Sequence, residues 1–253
     1  MEGFLTAGGH RLEYLLHPAH QLDRPTLVFL HEGLGSVGLW RDFPERVARA
    51  TGCRTLVYSR YGYGRSDVLT EPRRPDYMHK EALQVLPEVL RQLEIERPVL
   101  VGHSDGGSIA LIHAGRHECA GIAVMAPHLL VEEMSAAGIR DTVGVFERSD
   151  MAAKLGRYHQ DPARTFRGWS DIWLSPDFRD WNIEAFLPGI RCPVLAIQGE
   201  DDEYATMLHL DRIAAAVPAP VQLLKLADCR HSPHRDQPEA VIAALVHWLD
   251  ELD

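Results

Sequence analysis

Six short runs of β-branched and leucine residues, most of them followed by a segment with apolar positions every three or four residues, limit this 253-residue chain to few folds. The runs are 26–31, 54–59, 98–102, 121–126, 193–198 and 221–226. Near-continuous apolar character marks strands buried on both faces, the pattern of a parallel sheet. Residues 41–51, 77–94, 105–117, 204–217 and 237–251 gather apolar residues on one helical face, as Ile242, Leu245, Val246 and Leu249 do. This alternation predicts an α/β fold with a mostly parallel central sheet and helices on both faces. Arg11–Leu16 is expected to add an antiparallel strand at the sheet edge.

The alternation lapses between His128 and Ile190, where a helical pattern is broken by Gly138, Gly144, Pro162, Pro176 and Pro188. An excursion of this length is too long for a plain loop. Residues 129–190 are therefore expected to form a helical cap on a core made of residues 1–128 and 191–253. Trp169, Trp173 and Trp181 fall in this segment and are expected mainly to pack it against the core. Trp173, with His128, is assigned to the wall of a substrate pocket.

Composition removes several function classes. With 45% hydrophobic and 25% charged residues the chain is an ordinary soluble protein. A formal charge of −10, with no basic cluster, repels a phosphate backbone, so no nucleic-acid partner is expected. No apolar run approaches the ~18 residues of a membrane span, and the N-terminus shows no leader pattern, so no membrane partner and a cytoplasmic location are expected. Cys53, Cys119, Cys192 and Cys229 lie far apart without a CxxC pair, which predicts buried free thiols and neither a metal site nor a disulfide framework. A small-molecule substrate is the expected partner; nothing in the sequence bears on oligomeric state.

The chemistry centres on Gly102-His103-Ser104-Asp105-Gly106-Gly107, between a predicted strand and a predicted helix. A strand-to-helix turn this sharp brings the positions flanking the serine into collision unless they are glycines, and it holds Ser104 exposed above the sheet. The amide of Asp105 then points from a helix N-terminus toward an oxyanion. A serine hydroxyl needs a base, and the base needs an orienting acid. Gly199-Glu200-Asp201-Asp202 and Arg230-His231-Ser232-Pro233-His234 each follow a strand run, giving the chain order serine, acid, histidine. Asp202 is assigned as the acid with Asp201 as runner-up, and His231 as the base in preference to His234. His31-Glu32-Gly33-Leu34-Gly35, after the first run, supplies a turn whose Gly33 amide, or secondarily that of Leu34, is a second oxyanion donor.

In this order the motifs make the chain, from about Leu12 to Leu249, resemble the α/β-hydrolase superfamily of serine esterase, lactonase and C–C hydrolase type. The family's H-G-x turn is His31-Glu32-Gly33 here, and its D-x-R-G-x-G-x-S segment is Ser59-Arg60-Tyr61-Gly62-Tyr63-Gly64-Arg65-Ser66. Its elbow is Gly102 to Gly106, its acid motif Gly199 to Asp202, and its histidine motif Arg230-His231 followed by Pro238-Glu239. Glu32, Arg230, Ser59 and Tyr61 depart from the usual residues. The resemblance implies a cofactor-free serine hydrolase acting on a small carboxylic ester or lactone through an acyl-enzyme. Alternatives are a C–C bond hydrolase of meta-cleavage type, a thioesterase, and a ligand-binding receptor on the same scaffold. If the Glu32 or Asp105 side chain faces the pocket, it would favour an amine-bearing acyl group. Otherwise Glu32 is expected to pair with a nearby arginine such as Arg60 or Arg65, and Asp105 to cap or orient the elbow helix.

Overall fold

The structure is a computed structural model that describes residues 1–21 and 23–252. Its strands are β1 (Glu2–Ala7), β2 (His10–His17), β3 (Leu27–Leu30), β4 (Thr55–Tyr58), β5 (Val99–His103), β6 (Gly121–Met125), β7 (Val194–Gly199) and β8 (Val221–Leu226). They form one sheet in the order β1-β2-β4-β3-β5-β6-β7-β8. β1 pairs with β2, and β2 with β4, in antiparallel fashion; every later pairing is parallel. The segment 11–16 is therefore not the edge strand. That place belongs to β1, whose exposed and half-buried residues alternate along an edge that needs little apolar character.

The helices are α1 (Phe43–Thr51), α2 (Tyr77–Lys80), α3 (Leu86–Gln92), α4 (Asp105–Ala114), α5 (Glu133–Arg148), α6 (Met151–Leu155), α7 (Pro162–Trp173), α8 (Leu208–Ala216), α9 (Pro233–Asp236) and α10 (Pro238–Asp250). A π-helical turn over Glu81–Val85 joins α2 to α3. Strand residues of alternate parity feed two cores, one on each face of the sheet. Leu27, Phe29, Val57, Val99, Val101 and Ile197 meet Trp40, Phe43 of α1 and Leu245 and Trp248 of α10. Val28, Leu30, Leu56, Leu100, Ile122 and Val194 meet Leu86, Ile109, Ile112 and the aromatic residues of the segment between β6 and β7.

That segment carries α5, α6 and α7, with α7 packed on both of the others. Trp173, Phe178 and Trp181 form a ring cluster with centroids 5.1 Å and 5.2 Å apart along the series. α8 begins four residues later than the sequence period suggests, because the amides of Tyr204 and Ala205 bind the Asp202 carboxylate instead of opening a helix.

Candidate active site

β5 turns into α4 at Ser104, a non-glycine residue with φ 51° and ψ −116°. Such a conformation costs on the order of 1–3 kcal/mol and persists only where packing dictates it. Here packing does. A Cβ on Gly102 would lie 2.3 Å from the Gly106 carbonyl oxygen, and one on Gly106 would lie 1.9 Å from that of Leu30. The Ser104 amide donates to the Met125 carbonyl at 2.9 Å, tying the turn to β6.

The His231 imidazole lies between the serine and an acid. Its Nε2 is 3.0 Å from Ser104 Oγ, and its Nδ1 is 2.8 Å from Oδ1 and 3.0 Å from Oδ2 of Asp202. Burial works against ionisation of Asp202, but the bond and charge of His231 and the amides of Tyr204 and Ala205 outweigh it and hold its carboxyl below the usual range. Gln198 Nε2 adds a donor at 3.2 Å. The runner-up Asp201 is exposed, with its amide on the Cys229 carbonyl. His234 is buried, its ring 4.7 Å from Trp40 and 5.4 Å from Phe43. The His231 main chain is fixed as well: its carbonyl accepts from His103 Nε2 at 2.7 Å. That bond leaves His103 Nδ1 as a bare acceptor 3.9 Å from Glu32 Oε2, and burial depresses the ring's pKa to about 4.

The turn after β3 places its peptides through the Glu32 carbonyl, which accepts from His31 Nδ1 at 2.7 Å, Arg60 Nη2 at 2.9 Å and the Gly35 amide at 3.1 Å. Since a trans peptide points its N–H opposite to its C=O, the Gly33 N–H faces away from this buried anchor. The Asp105 amide is the first of α4, where intrahelical partners are lacking.

A family model for the alpha/beta hydrolase family matches residues 27–244. The chain belongs to that family. It is similar to a proline iminopeptidase of Lactobacillus helveticus, at 23% identity over all of this chain and 99% of the relative. Among solved structures it resembles the enol-lactonase from Burkholderia xenovorans LB400, with a TM-score of 0.77, 20% identity, and coverage of 98% of this chain and 100% of the other. An esterase from Exiguobacterium antarcticum gives a TM-score of 0.78 at 17% identity, covering 99% of this chain and 100% of the other.

In this alpha/beta hydrolase Ser104 and His231 open on a cavity of about 230 Å³. Glu32, Gly33, His128 and Trp173 line it. Asp105 does not contribute its side chain: the carboxylate is buried, with Tyr77 Oη donating to Oδ2 at 2.6 Å and Arg60 Nη2 3.8 Å away. The Asp105 carboxylate is therefore not among the groups that line the cavity. The arginine beside the Glu32 carboxylate is Arg235, with Nη2 3.8 Å from Oε1, and not Arg60 or Arg65; Arg60 takes the Glu32 carbonyl. His128 is held neutral by burial first and then by His209, His231 and His103, and its ring stands 4.9 Å from that of Trp173. Trp173 Nε1 in turn donates to Tyr77 Oη at 3.0 Å.

Trp169 also lines the cavity, against Gly33, where a Cβ would come within 2.2 Å of its Nε1. Trp181 lies outside it, in the ring cluster behind Trp173. Sequence reasoning missed Ser135, Ile139 and Thr142 of α5, Met151 and Leu155 of α6, and Tyr204, whose ring is 4.8 Å from that of His231. The spacing of three and four residues within α5 and α6 was the available signal, but it does not say which face turns to a pocket.

Proposed function

We propose that this hydrolase cleaves a small carboxylic ester or lactone through an acyl-enzyme, with Ser104 as nucleophile, His231 as base and Asp202 as orienting acid. Ser104 Oγ attacks the carbonyl carbon and passes its proton to His231 Nε2; Asp202 fixes the Nδ1–H tautomer and stabilises the imidazolium. The amides of Gly33 and Asp105 hold the oxyanion. His231 protonates the departing oxygen, and water activated by the same imidazole releases the acid. The observation that carries this reading is the continuous chain from Ser104 Oγ through His231 to Asp202, at 3.0 Å and 2.8 Å.

Residues 129–190 act in this reading as the cap that sets substrate size. The cavity of about 230 Å³ lies below the ~300–1,000 Å³ of clefts for drug-sized ligands, which favours a short acyl group. Its wall of Leu34, Ile139, Leu155, Trp169 and Trp173 suits an apolar one. Hydrolysis of p-nitrophenyl esters of graded chain length tests this, with activity expected to peak at short acyl chains. Ser104→Ala should abolish turnover and labelling by a fluorophosphonate. Folded protein whose Ser104 resists the fluorophosphonate would instead support a ligand-binding receptor, and selective turnover of thioesters or vinylogous 1,5-diketones would move the substrate class.

One observation favours a second reading of the substrate. Glu32 lines the cavity together with Ser104, and its carboxylate, 3.8 Å from Arg235 Nη2, would compete for an amine-bearing ester or an N-terminal amine by Coulomb attraction. The likeness to a proline iminopeptidase points the same way. Comparing α-amino esters with matched neutral esters decides it: a preference lost in Glu32→Gln supports the amine, and equal rates remove it.

A further inference from the structure

Away from the catalytic cavity, a second cleft of about 590 Å³ opens at the opposite ends of β6 and β7, and two of the four cysteines stand in it together. The register that pairs Ile122 with Val194 sets Ala120 beside Cys192 when carried back two residues, so Cys119 adjoins the neighbour of Cys192. The strands are still joined there, with the Ile122 amide on the Pro193 carbonyl at 3.0 Å. One step out of register across a ~4.8 Å strand spacing, with a rise of ~3.3 Å per residue, separates Cα atoms by roughly 5.8 Å, inside the ~4.4–6.8 Å that a disulfide spans. The two side chains are close enough to act on each other.

The neighbouring charges make the pair unequal: Arg191 precedes Cys192, whereas Glu118 precedes Cys119, and all four residues line the cleft. The contact with Cys192, and burial after it, push the Cys119 thiol up. The same contact brings Cys192 down against its burial penalty. Arg97, Arg116, Arg191 and His117 line the cleft against a single carboxylate, Glu118, a balance that favours a thiolate at its wall. Cys53 and Cys229 differ: both are fully buried, and neither lines this cleft.

We propose that Cys119 and Cys192 form a peroxide-reactive dithiol, in which Cys192 is oxidised first and Cys119 converts it to a disulfide. The Cys192 sulfur attacks one oxygen of hydrogen peroxide and the O–O bond breaks, giving a sulfenic acid and one water once the departing hydroxide takes the thiol proton. The Cys119 sulfur then loses its proton and displaces hydroxide from the sulfenyl sulfur; an S–S bond forms, an S–O bond breaks, and the second water leaves. Two thiols are oxidised by two electrons and one peroxide is reduced to two waters. The disulfide joins the residues that lead into β6 and β7, and so closes a loop containing β6 and the whole helical segment over the active site.

The test treats the full chain with hydrogen peroxide without reductant, blocks remaining thiols, and maps the digest by mass spectrometry. The expected result is a cross-linked peptide pair joining Cys119 to Cys192, with titratable thiols of the denatured protein falling from four to two. Retention of all four thiols, or Cys192 carried to sulfinic acid without a cross-link, would overturn the proposal. The order of events is read with dimedone, which traps sulfenic acids. Cys119→Ser should give an adduct on Cys192, whereas Cys192→Ser should give none on Cys119; the reverse pattern overturns the assigned roles. Neither residue belongs to the proposed catalytic machinery, so unchanged ester turnover shows that each variant is folded.

Discussion

Ser104 holds a strained backbone angle because the residues around it leave no alternative, and single-residue changes there separate strain from chemistry. In Gly106→Ala the new methyl would stand 1.9 Å from the Leu30 carbonyl oxygen, a main-chain atom that moves only with the sheet. A loss of about 2–3 kcal/mol is expected, read as a lower urea midpoint with unchanged slope. Asp202→Asn should behave oppositely. The amide can still accept from the Tyr204 N–H, but it no longer stabilises an imidazolium on His231. Folding should change little while kcat falls on the order of 10⁴-fold, by analogy with the same change in serine proteases. That Ser104, Asp202 and His231 each follow a strand is legible in the sequence, and a strand end fixes where a side chain starts. The direction of the Asp105 carboxylate was not. It depends on Tyr77, from another helix, arriving beneath the elbow with a hydroxyl to give.

At the scale of elements, that Tyr77 hydroxyl joins three helices. It donates to Asp105 of α4 and accepts from Trp173 Nε1 of α7, while itself belonging to α2. The wall of the cavity is thereby tied to the helix that follows Ser104. Tyr77→Phe removes one oxygen and strips two buried groups of a partner, which should cost about 1–3 kcal/mol. If the hydroxyl positions Trp173, KM should rise for the longest acyl chains accepted, while kcat on the acetyl ester stays within a few-fold. An equal fall of kcat on every ester would place the effect in the elbow instead. The strands and flanking helices of the core were readable from period alone, since a buried sheet demands apolar runs whatever the function. β1 is not legible because an edge strand carries no such demand, and α8 starts later than its apolar period because the residues before it serve Asp202. Within 129–190 the helical pattern was visible, but helices packed on one another bury several faces, and their period does not say which one meets a substrate.

For the whole molecule, the largest response to pH is expected from histidines the core holds without a proton. Burial, ahead of any neighbouring charge, depresses His103 and His113 to about 4 and His31, His128 and His234 well below 6.5. A histidine whose folded pKa lies below its unfolded value adds stability that is complete above about pH 6.5. That stability is lost as pH falls from there through the folded pKa, because only the unfolded chain takes up the proton. Each such group withdraws about 1.4 kcal/mol per pH unit inside that window. Acidification also reduces the repulsion of a chain with a formal charge of −10, which by itself would stabilise the fold, so a fall in stability between pH 7 and 5 isolates the histidines. His113 is the group to test, since it lies on α4 away from the cavity that Ser104 lines and donates from Nδ1 to the Ala82 carbonyl at 2.7 Å. Urea unfolding at steps from pH 7.5 to 4.5 should show a steep loss for the native protein. His113→Gln should flatten it by about 1.4 kcal/mol per unit, whatever the variant's starting stability. The Asp202 carboxylate, lowered in the folded state, would withdraw its share only below about pH 4 and cannot imitate this. An unaltered slope in His113→Gln would mean that this imidazole already carries its proton in the folded protein, or that water reaches it.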